Sequence, residues 1–192
     1  MPNLVRHDNG LVARHSGGRV IGGEPSLHLT PVEKIGSQHD TEPFDCGRPE
    51  LNRFLRRYAV LSQKANTAQT YVVCRDNWVV GYYSLTVGSV EYREAPERIA
   101  RGIARHPVPL MILARLAVDT REQGRGLGAA LLKDAMLRTF RAAGIAGIRA
   151  LFVHAKDDEA KGFYEHFNFK PSLTDPHHLY CVMKDIGRLI ST

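Results

Sequence analysis

Leu116-Ala117-Val118-Asp119-Thr120-Arg121-Glu122-Gln123-Gly124-Arg125-Gly126-Leu127-Gly128-Ala129 is the stretch that decides the fold. It begins at the end of an apolar run, Leu-Met-Ile-Leu-Ala-Arg-Leu-Ala-Val over residues 110–118. A run that continuous predicts a central strand buried on both faces. Three glycines follow, and a helical pattern starts within them. Glycines let the backbone curl with its N–H groups inward, and a helix start adds unpaired donors and a partial positive charge. Arg125 adds a full charge. The combination predicts a site for a pyrophosphate rather than for an apolar group.

Two cofactor patterns overlap on this turn. Gly124-x-Gly126-x-x-Ala129 satisfies the dinucleotide fingerprint GxGxxA. A dinucleotide unit also needs an acid about 20 residues on, at the end of the next strand, to hold a ribose. The next apolar strand, residues 148–154, ends instead at His154. The second pattern is Gln123-x-x-Gly126-x-Gly128.

Outward from the turn, the helix is expected over residues 126–143, ended by Gly144. Ala129, Leu132, Met136 and Phe140 form its apolar face; Lys133, Asp134, Arg138 and Arg141 form the other. Residues 157–167 predict a helix whose acidic first turn suits the helix dipole. Residues 169–172 and 178–184 close the chain as strands. Upstream, Pro49 opens a helix with Leu51, Phe54, Leu55, Tyr58 and Leu61 at core spacing. Residues 69–75 and 78–90 read as a hairpin through Asp76-Asn77. A short strand is expected over 28–35, and a short helix over 96–105, broken by Pro107 and Pro109. Strands and helices alternating about a strand–turn–helix centre predict an α+β, mixed α/β sheet in one domain, residues 29–187. Residues 1–28 are glycine-rich and aperiodic, and read as a flexible extension.

The net charge is +6 and the pI near 9.4, which suits polyanionic partners: nucleic acid, or a cofactor carrying several phosphates. Of 26 cations 19 are arginine, a bias that codon usage alone can produce. No apolar run approaches the roughly 18 residues that span a bilayer, and charged residues interrupt the N-terminus where a signal peptide would lie. The chain is therefore expected in the cytoplasm, with no membrane partner. Three cysteines in wide spacing give neither a disulfide framework nor a zinc cluster, so no metal is expected. Cys74 and Cys181 lie in apolar runs and read as core residues.

Leu116-Ala117-Val118-Asp119 followed by Gln123-Gly124-Arg125-Gly126-Leu127-Gly128-Ala129-Ala130-Leu131-Leu132 resembles the acetyl-coenzyme A motif of the GNAT superfamily of N-acetyltransferases. Ala160-Lys161-Gly162-Phe163-Tyr164 and Phe167-Asn168-Phe169 resemble that family's final helix and strand. Asp157 stands where the family usually has Asn, and Asn168 where it has Gly. Phe44-Asp45-Cys46-Gly47, Leu51-Asn52-x-Phe54-Leu55, Val80-Gly81-Tyr82-Tyr83-Ser84-Leu85 and Leu113-Ala114-Arg115 extend the resemblance to the GNAT toxins of bacterial type II toxin–antitoxin modules. It covers about residues 28–185. It implies a GNAT fold: a mostly antiparallel sheet flanked by helices, with a splayed parallel strand pair holding acetyl-coenzyme A. It also implies aminoacyl-tRNA as acceptor and a ribbon-helix-helix antitoxin as partner, with DNA contacted only through that antitoxin. A homodimer is left open.

The resemblance assigns the cofactor to Leu116, Ala117, Val118, Gln123, Gly124, Arg125, Gly126, Leu127, Gly128 and Ala129. Main-chain N–H groups at Leu116, Ala117 and Val118 would face the thioester oxygen. Tyr164 would give a proton to the leaving thiolate, a balanced transfer at an ordinary phenol pKa near 10. Its alternative role is a core aromatic. His154 and His106 are candidate bases, against an ordinary structural role. Arg98, Arg101 and Arg105, at i, i+3 and i+7 with Arg93 just before, would line one helix face and match spaced tRNA phosphates. The alternative is a solvated face neutralised by Glu91, Glu94 and Glu97. Two other functions compete with a tRNA-acetylating toxin: an acetyltransferase for a small-molecule or protein amine, and an antitoxin-bound operon co-repressor.

Overall fold

The computed structural model describes residues 28–190, so the expected extension lies outside the described residues but for His28. The elements run β1 (Glu33–Lys34), α1 (Pro49–Arg57), α2 (Ala59–Lys64), β2 (Gln69–Arg75), β3 (Trp78–Val90), α3 (Glu97–Ala100) and β4 (Val108–Val118). After these come α4 (Leu127–Ala146), β5 (Ala150–His154), α5 (Asp158–His166), β6 (Lys170–Pro171), β7 (His178–Val182) and α6 (Met183–Ile190). Seven strands form one sheet in the order β1-β2-β3-β4-β5-β7-β6. Among the described residues only β4 and β5 are parallel strand neighbours and the rest are antiparallel, as the family resemblance implies.

Alternation along β3 distributes the core. Tyr83 points to one face and packs with Leu131, Leu132, Ala135 and Met136 of α4, while Tyr82 points to the other and packs with Phe44, Phe54 and Leu55. The β2–β3 hairpin turns at Asp76, which takes a left-handed φ of 55°, a conformation that Asp and Asn tolerate.

Four expectations need correction. Helix α4 continues through Gly144 and ends at Gly147, whose left-handed backbone caps it by donating to the Ala143 carbonyl. The segment expected as one helix from Pro49 breaks at Tyr58, which shifts the core-facing stripe. Ala59 is buried in consequence, while Leu61 is 62% exposed. Strand β7 stops at Val182 and gives way to α6, which buries Ile186 and runs past the expected domain end to Ile190. Helix α3 spans one turn only, because Arg101 is extended and Gly102 takes a left-handed φ of 77°.

Gly81 lets the start of α4 lie on the sheet. A methyl group there would sit 2.9 Å from Leu131 Cδ1, 3.1 Å from Val73 Cγ1 and 3.3 Å from Leu127 Cδ2, all of them buried. Overpacking of this kind costs about 1–3 kcal/mol. Gly81→Ala is expected to lower the unfolding free energy by about 1–2 kcal/mol, read as a lower urea midpoint with unchanged slope. An unchanged midpoint would mean that the start of α4 adjusts freely.

Candidate active site

The site begins where β4 and β5 part. They pair only from Leu110↔Ala150 to Ile112↔Phe152. On its other side, β4 places Arg115 opposite Ser84 and Leu113 opposite Leu85, so Ala114 is an extra residue. Such a bulge bends its strand. Past it, β4 stays with β3 as far as Gly81↔Val118, while β5 stays with β7 as far as His154↔His178. The gap is a cleft of about 620 Å³ walled by residues 113–118, Val153, His154, Phe163 and Tyr164. The β5-facing edge of β4 beyond Ile112 has no strand partner, so its main-chain donors open into this cleft.

At one end of the cleft lies the glycine turn. Gly124 and Gly126 take left-handed φ values of 74° and 82°, so glycine is needed for backbone conformation; a Cβ at either would meet nothing within 4 Å. Among the described residues, no acceptor takes the amide protons of residues 124–129. These unpaired donors, at the start of the 20-residue helix α4, suit a phosphate group. Arg125 is largely exposed, held loosely by Glu122 at 3.4 Å. Gly128 lines the cleft, Ala129 is half-buried beside it, and the Leu127 side chain belongs to the core. The Gln123 side chain is committed elsewhere. Its Nε2 donates to the Val118 carbonyl at 2.9 Å and the Cys46 carbonyl at 3.3 Å, which ties the turn to the end of β4.

The opposite wall carries Tyr164. Its ring packs against Phe163 and Phe169, with centroids 5.2 and 5.5 Å away. Its hydroxyl has no hydrogen-bond partner among the described residues, and it borders the cleft. Burial pushes its pKa up to about 12. Asp157 caps α5 by accepting the Ala160 N–H at 2.9 Å and also pairs with Arg48 at 3.1 Å. Lys156 pairs with Glu50 at 2.7 Å. These two ion pairs bridge α1 and the β5–α5 loop at the rim; separation along the chain kept them out of the sequence reading. Asn168 adopts the left-handed conformation, φ 65°, that its position demands. His154 lines the cleft wall, while His106 lies outside it. All three cysteines are buried; burial pushes Cys74 up to about 11 and Cys181 to about 12, as inert core thiols.

The arginine line does not form. With α3 ending at Ala100, Arg98, Arg101 and Arg105 share no helix face. Arg98 pairs with Asp185 of α6 at 2.9 Å, and Arg101 with Glu97 at 2.9 Å. Arg93 and Arg105 are exposed, and none of the four borders the cleft. Ile99 of α3 packs on Val108 and Leu110, the far end of β4. At about 3.3 Å per residue that end lies roughly 30 Å from Val118.

A sheet split beside a helix N-terminus, with an unpaired tyrosine hydroxyl across the gap, is an arrangement that suits acyl transfer from a phosphate-bearing donor. Residues 66–171 match the acetyltransferase (GNAT) domain model. A tRNA-acetylating toxin of Mycobacterium tuberculosis is 46% identical over 157 residues, 82% of this chain and 94% of that protein. The solved structure of AtaT complexed with acetyl-methionyl-tRNAfMet superposes with a TM-score of 0.78 at 31% identity, covering 85% of this chain and 99% of that one. A Tyr-to-Phe mutant of AtaT, bound to the C-terminus of the antitoxin AtaR and acetyl-CoA, superposes with a TM-score of 0.73 at 30% identity, covering 86% and 99%. The chain belongs to the GNAT acetyltransferase family, and it is an N-acetyltransferase.

Asp119 anchors the turn to the rest of the site. Fully buried, it accepts from the Asp45 N–H at 2.9 Å and from the Arg121 N–H and guanidinium at 2.8–3.0 Å. Burial pushes its carboxyl up, but the bonds from Arg121 and Asp45 outweigh this and hold it below the ordinary carboxylate range. Its stabilising contribution is therefore present above the unfolded-state pKa and lost as pH falls through the lowered one. Asp119→Ala is expected to cost about 2–3 kcal/mol in urea unfolding at pH 7. It should cost less at pH 3. An equal loss at both would mean that packing, not charge, is what Asp119 supplies.

Proposed function

We propose that this chain is a toxin that acetylates the α-amine of aminoacyl-tRNA at the expense of acetyl-coenzyme A and so stops translation. The observation that carries the reading is that Gly128, within the run of unpaired amides over residues 124–129, and the unpaired hydroxyl of Tyr164 border one cleft. The likeness to a tRNA-acetylating toxin supports the acceptor class. The same reading supplies a ribbon-helix-helix antitoxin, DNA contact only through it, and action in the cytoplasm.

Acetyl-coenzyme A supplies an activated acetyl thioester when bound. The amides of residues 124–129 and Arg125 would hold its pyrophosphate, and Gln123 would act indirectly by fixing the turn. The open edge of β4 at Leu116, Ala117 and Val118 offers main-chain donors where negative charge develops on oxygen. Tyr164, on the opposite wall of the cleft, would serve the leaving sulfur. With its pKa near 12, about three pH units above an ordinary thiol, it keeps its proton and stabilises the thiolate by a hydrogen bond. That replaces the balanced transfer expected of an unperturbed phenol. The α-amine of an aminoacyl ester titrates at about 7.7 or below, so much of it is already a nucleophile at neutral pH. No strong base is needed, and the proton that the amine sheds on acylation passes through water to neutralise the departing thiolate.

The tRNA grip moves from α3 to α1. Arg48, Arg115 and Lys156 border the cleft. Beside them a groove of about 800 Å³ carries the exposed side chains of Arg53 and Arg57. Arg56, in the same groove, donates to the Thr41 and Phe44 carbonyls and is structural.

Incubation with acetyl-coenzyme A and mixed charged tRNAs should release N-acetylated amino acid; acetylation of free amines alone would overturn the reading. Tyr164→Phe should lower kcat by about 100-fold with KM little changed. The wild-type profile should rise through the titration of the amine and stay flat to about pH 10. A fall between pH 8 and 10 that vanishes in Tyr164→Phe would mean an ordinary phenol acid. Arg53→Ala with Arg57→Ala should reduce the salt slope of tRNA binding by about 1–2. Arg98→Ala with Arg101→Ala should leave it unchanged, and the reverse result would return the grip to α3.

A further inference from the structure

A second cluster of chemically active side chains lies beside the cleft, with one member, His154, on its wall and no counterpart in the sequence pattern. His154 of β5 and His178 of β7 are directly opposed across the antiparallel pair. Opposed residues project from the same face of a sheet, and here the two rings meet edge to face, centroids 4.8 Å apart. Asp175, in the turn entering β7, is fixed by the main chain. Its Oδ1 accepts the His177 N–H at 2.8 Å, and its carbonyl accepts the His178 N–H at 3.1 Å. Its Oδ2 is thereby left facing His178 Nε2 at 3.5 Å. One ligand atom from each of His154, Asp175 and His178 lies within 4.8 Å of the others.

We propose that His154, His178 and Asp175 form a three-ligand site for a zinc-class divalent cation. Two neutral imidazoles and one carboxylate are the donor set such a cation takes when it keeps a further coordination position open. Bonds of about 2.0–2.2 Å put tetrahedral ligand atoms roughly 3.3 Å apart. Closing from 4.8 Å requires side-chain rotation, which His154 is free to make because it is exposed. The strands stay in place, since β5–β7 pairing already sets the two histidines on one face. Asp175 supplies the anionic oxygen of the set, as an ordinary carboxylate does at neutral pH. His154 also lines the cleft, so an ion bound here would lie at its border. There it would attract carboxylate or phosphate oxygens. His177 is engaged by Asp158 at 3.2 Å and stands outside the ligand set. The site does not depend on the identity of the acceptor.

The test uses tag-free, full-length protein. Co²⁺ is titrated while its visible absorption is followed, and Zn²⁺ affinity is read by competition with a chromogenic chelator. The expected result is one equivalent bound with micromolar-class affinity. His154→Ala and Asp175→Asn should each weaken it about tenfold or more. Asn at position 175 keeps an oxygen for the His177 N–H, so the turn survives, and an unchanged metal-free melting midpoint verifies this. His177→Ala should change affinity less than about twofold. Absence of Zn²⁺ binding, or binding that persists unchanged in the His154→Ala/Asp175→Asn double variant, would overturn the assignment.

Discussion

The molecule depends on a pairing that is given up. Two parallel strands that stayed together to their ends would close the sheet, and every main-chain N–H and C=O between them would be satisfied. Here β4 and β5 pair over three residues each and separate. The extra residue Ala114 turns β4 at that point. Ser84, opposite the bulge, is pinned by a buried hydroxyl–hydroxyl bond to Thr70 at 2.8 Å. The bulge is thus set by β2 and β3, which lie away from the cleft. What remains is a strand edge whose donors have no partner in the sheet. A ligand that supplies a carbonyl oxygen meets that need, which is why the cleft suits acyl transfer.

The turn after β4 and the loop before α1 are held as one unit. Asp119 accepts the Asp45 N–H, and the Asp45 carbonyl accepts the Thr120 N–H at 2.8 Å. Asp45 Oδ1 accepts from Gly47 at 2.9 Å and from the Asn52 amide at 2.7 Å, while Asn52 Oδ1 accepts the Cys46 N–H at 3.0 Å. Gln123 closes the circuit through the Cys46 carbonyl. The groups expected to meet phosphate and the cations on α1 are therefore fixed relative to one another by short bonds, not by loop packing. The segment Phe44-Asp45-Cys46-Gly47 earns its place in the sequence for that reason.

Legibility followed sequence distance. Strands β2, β3 and β4, the glycine turn and the start of α4 could be read because apolar periodicity and glycine positions are local signals. The helix that carries Tyr164 could be read because its acidic start is a local signal, although Asp157, expected inside its first turn, is its N-cap. The break at Tyr58 and the single turn of α3 were missed because one residue's backbone angle resets the phase of everything after it. Helix α6 was missed because Met183 continues an apolar run that began as strand. The rim pairs Arg48–Asp157 and Lys156–Glu50 join residues more than 100 positions apart. The His154–Asp175–His178 cluster exists only because β5 and β7 are paired in one register. No linear spacing announces either feature.

The positive charge of the chain takes on meaning only through such geometry. Many of its arginines are engaged: Arg75 with Glu122, Arg121 with Asp119, Arg138 with Asp134 and Arg98 with Asp185. Fully exposed pairs, such as Arg101 with Glu97, contribute little stability, about 0–1 kcal/mol. All of these pairs, however, place a carboxylate beside each guanidinium, which opposes a phosphate arriving at the same spot. The cations of α1 differ on both counts. Arg53 and Arg57 are exposed, and their helix begins at the cleft rim, where Arg48 and Glu50 stand. A nucleic acid that delivers its terminal amine into the cleft must bring its last phosphates past that rim. Helix α3 packs on the start of β4, at the wrong end of the strand for that contact. Position along β4, more than the count of arginines, therefore decides which of them can steer a substrate.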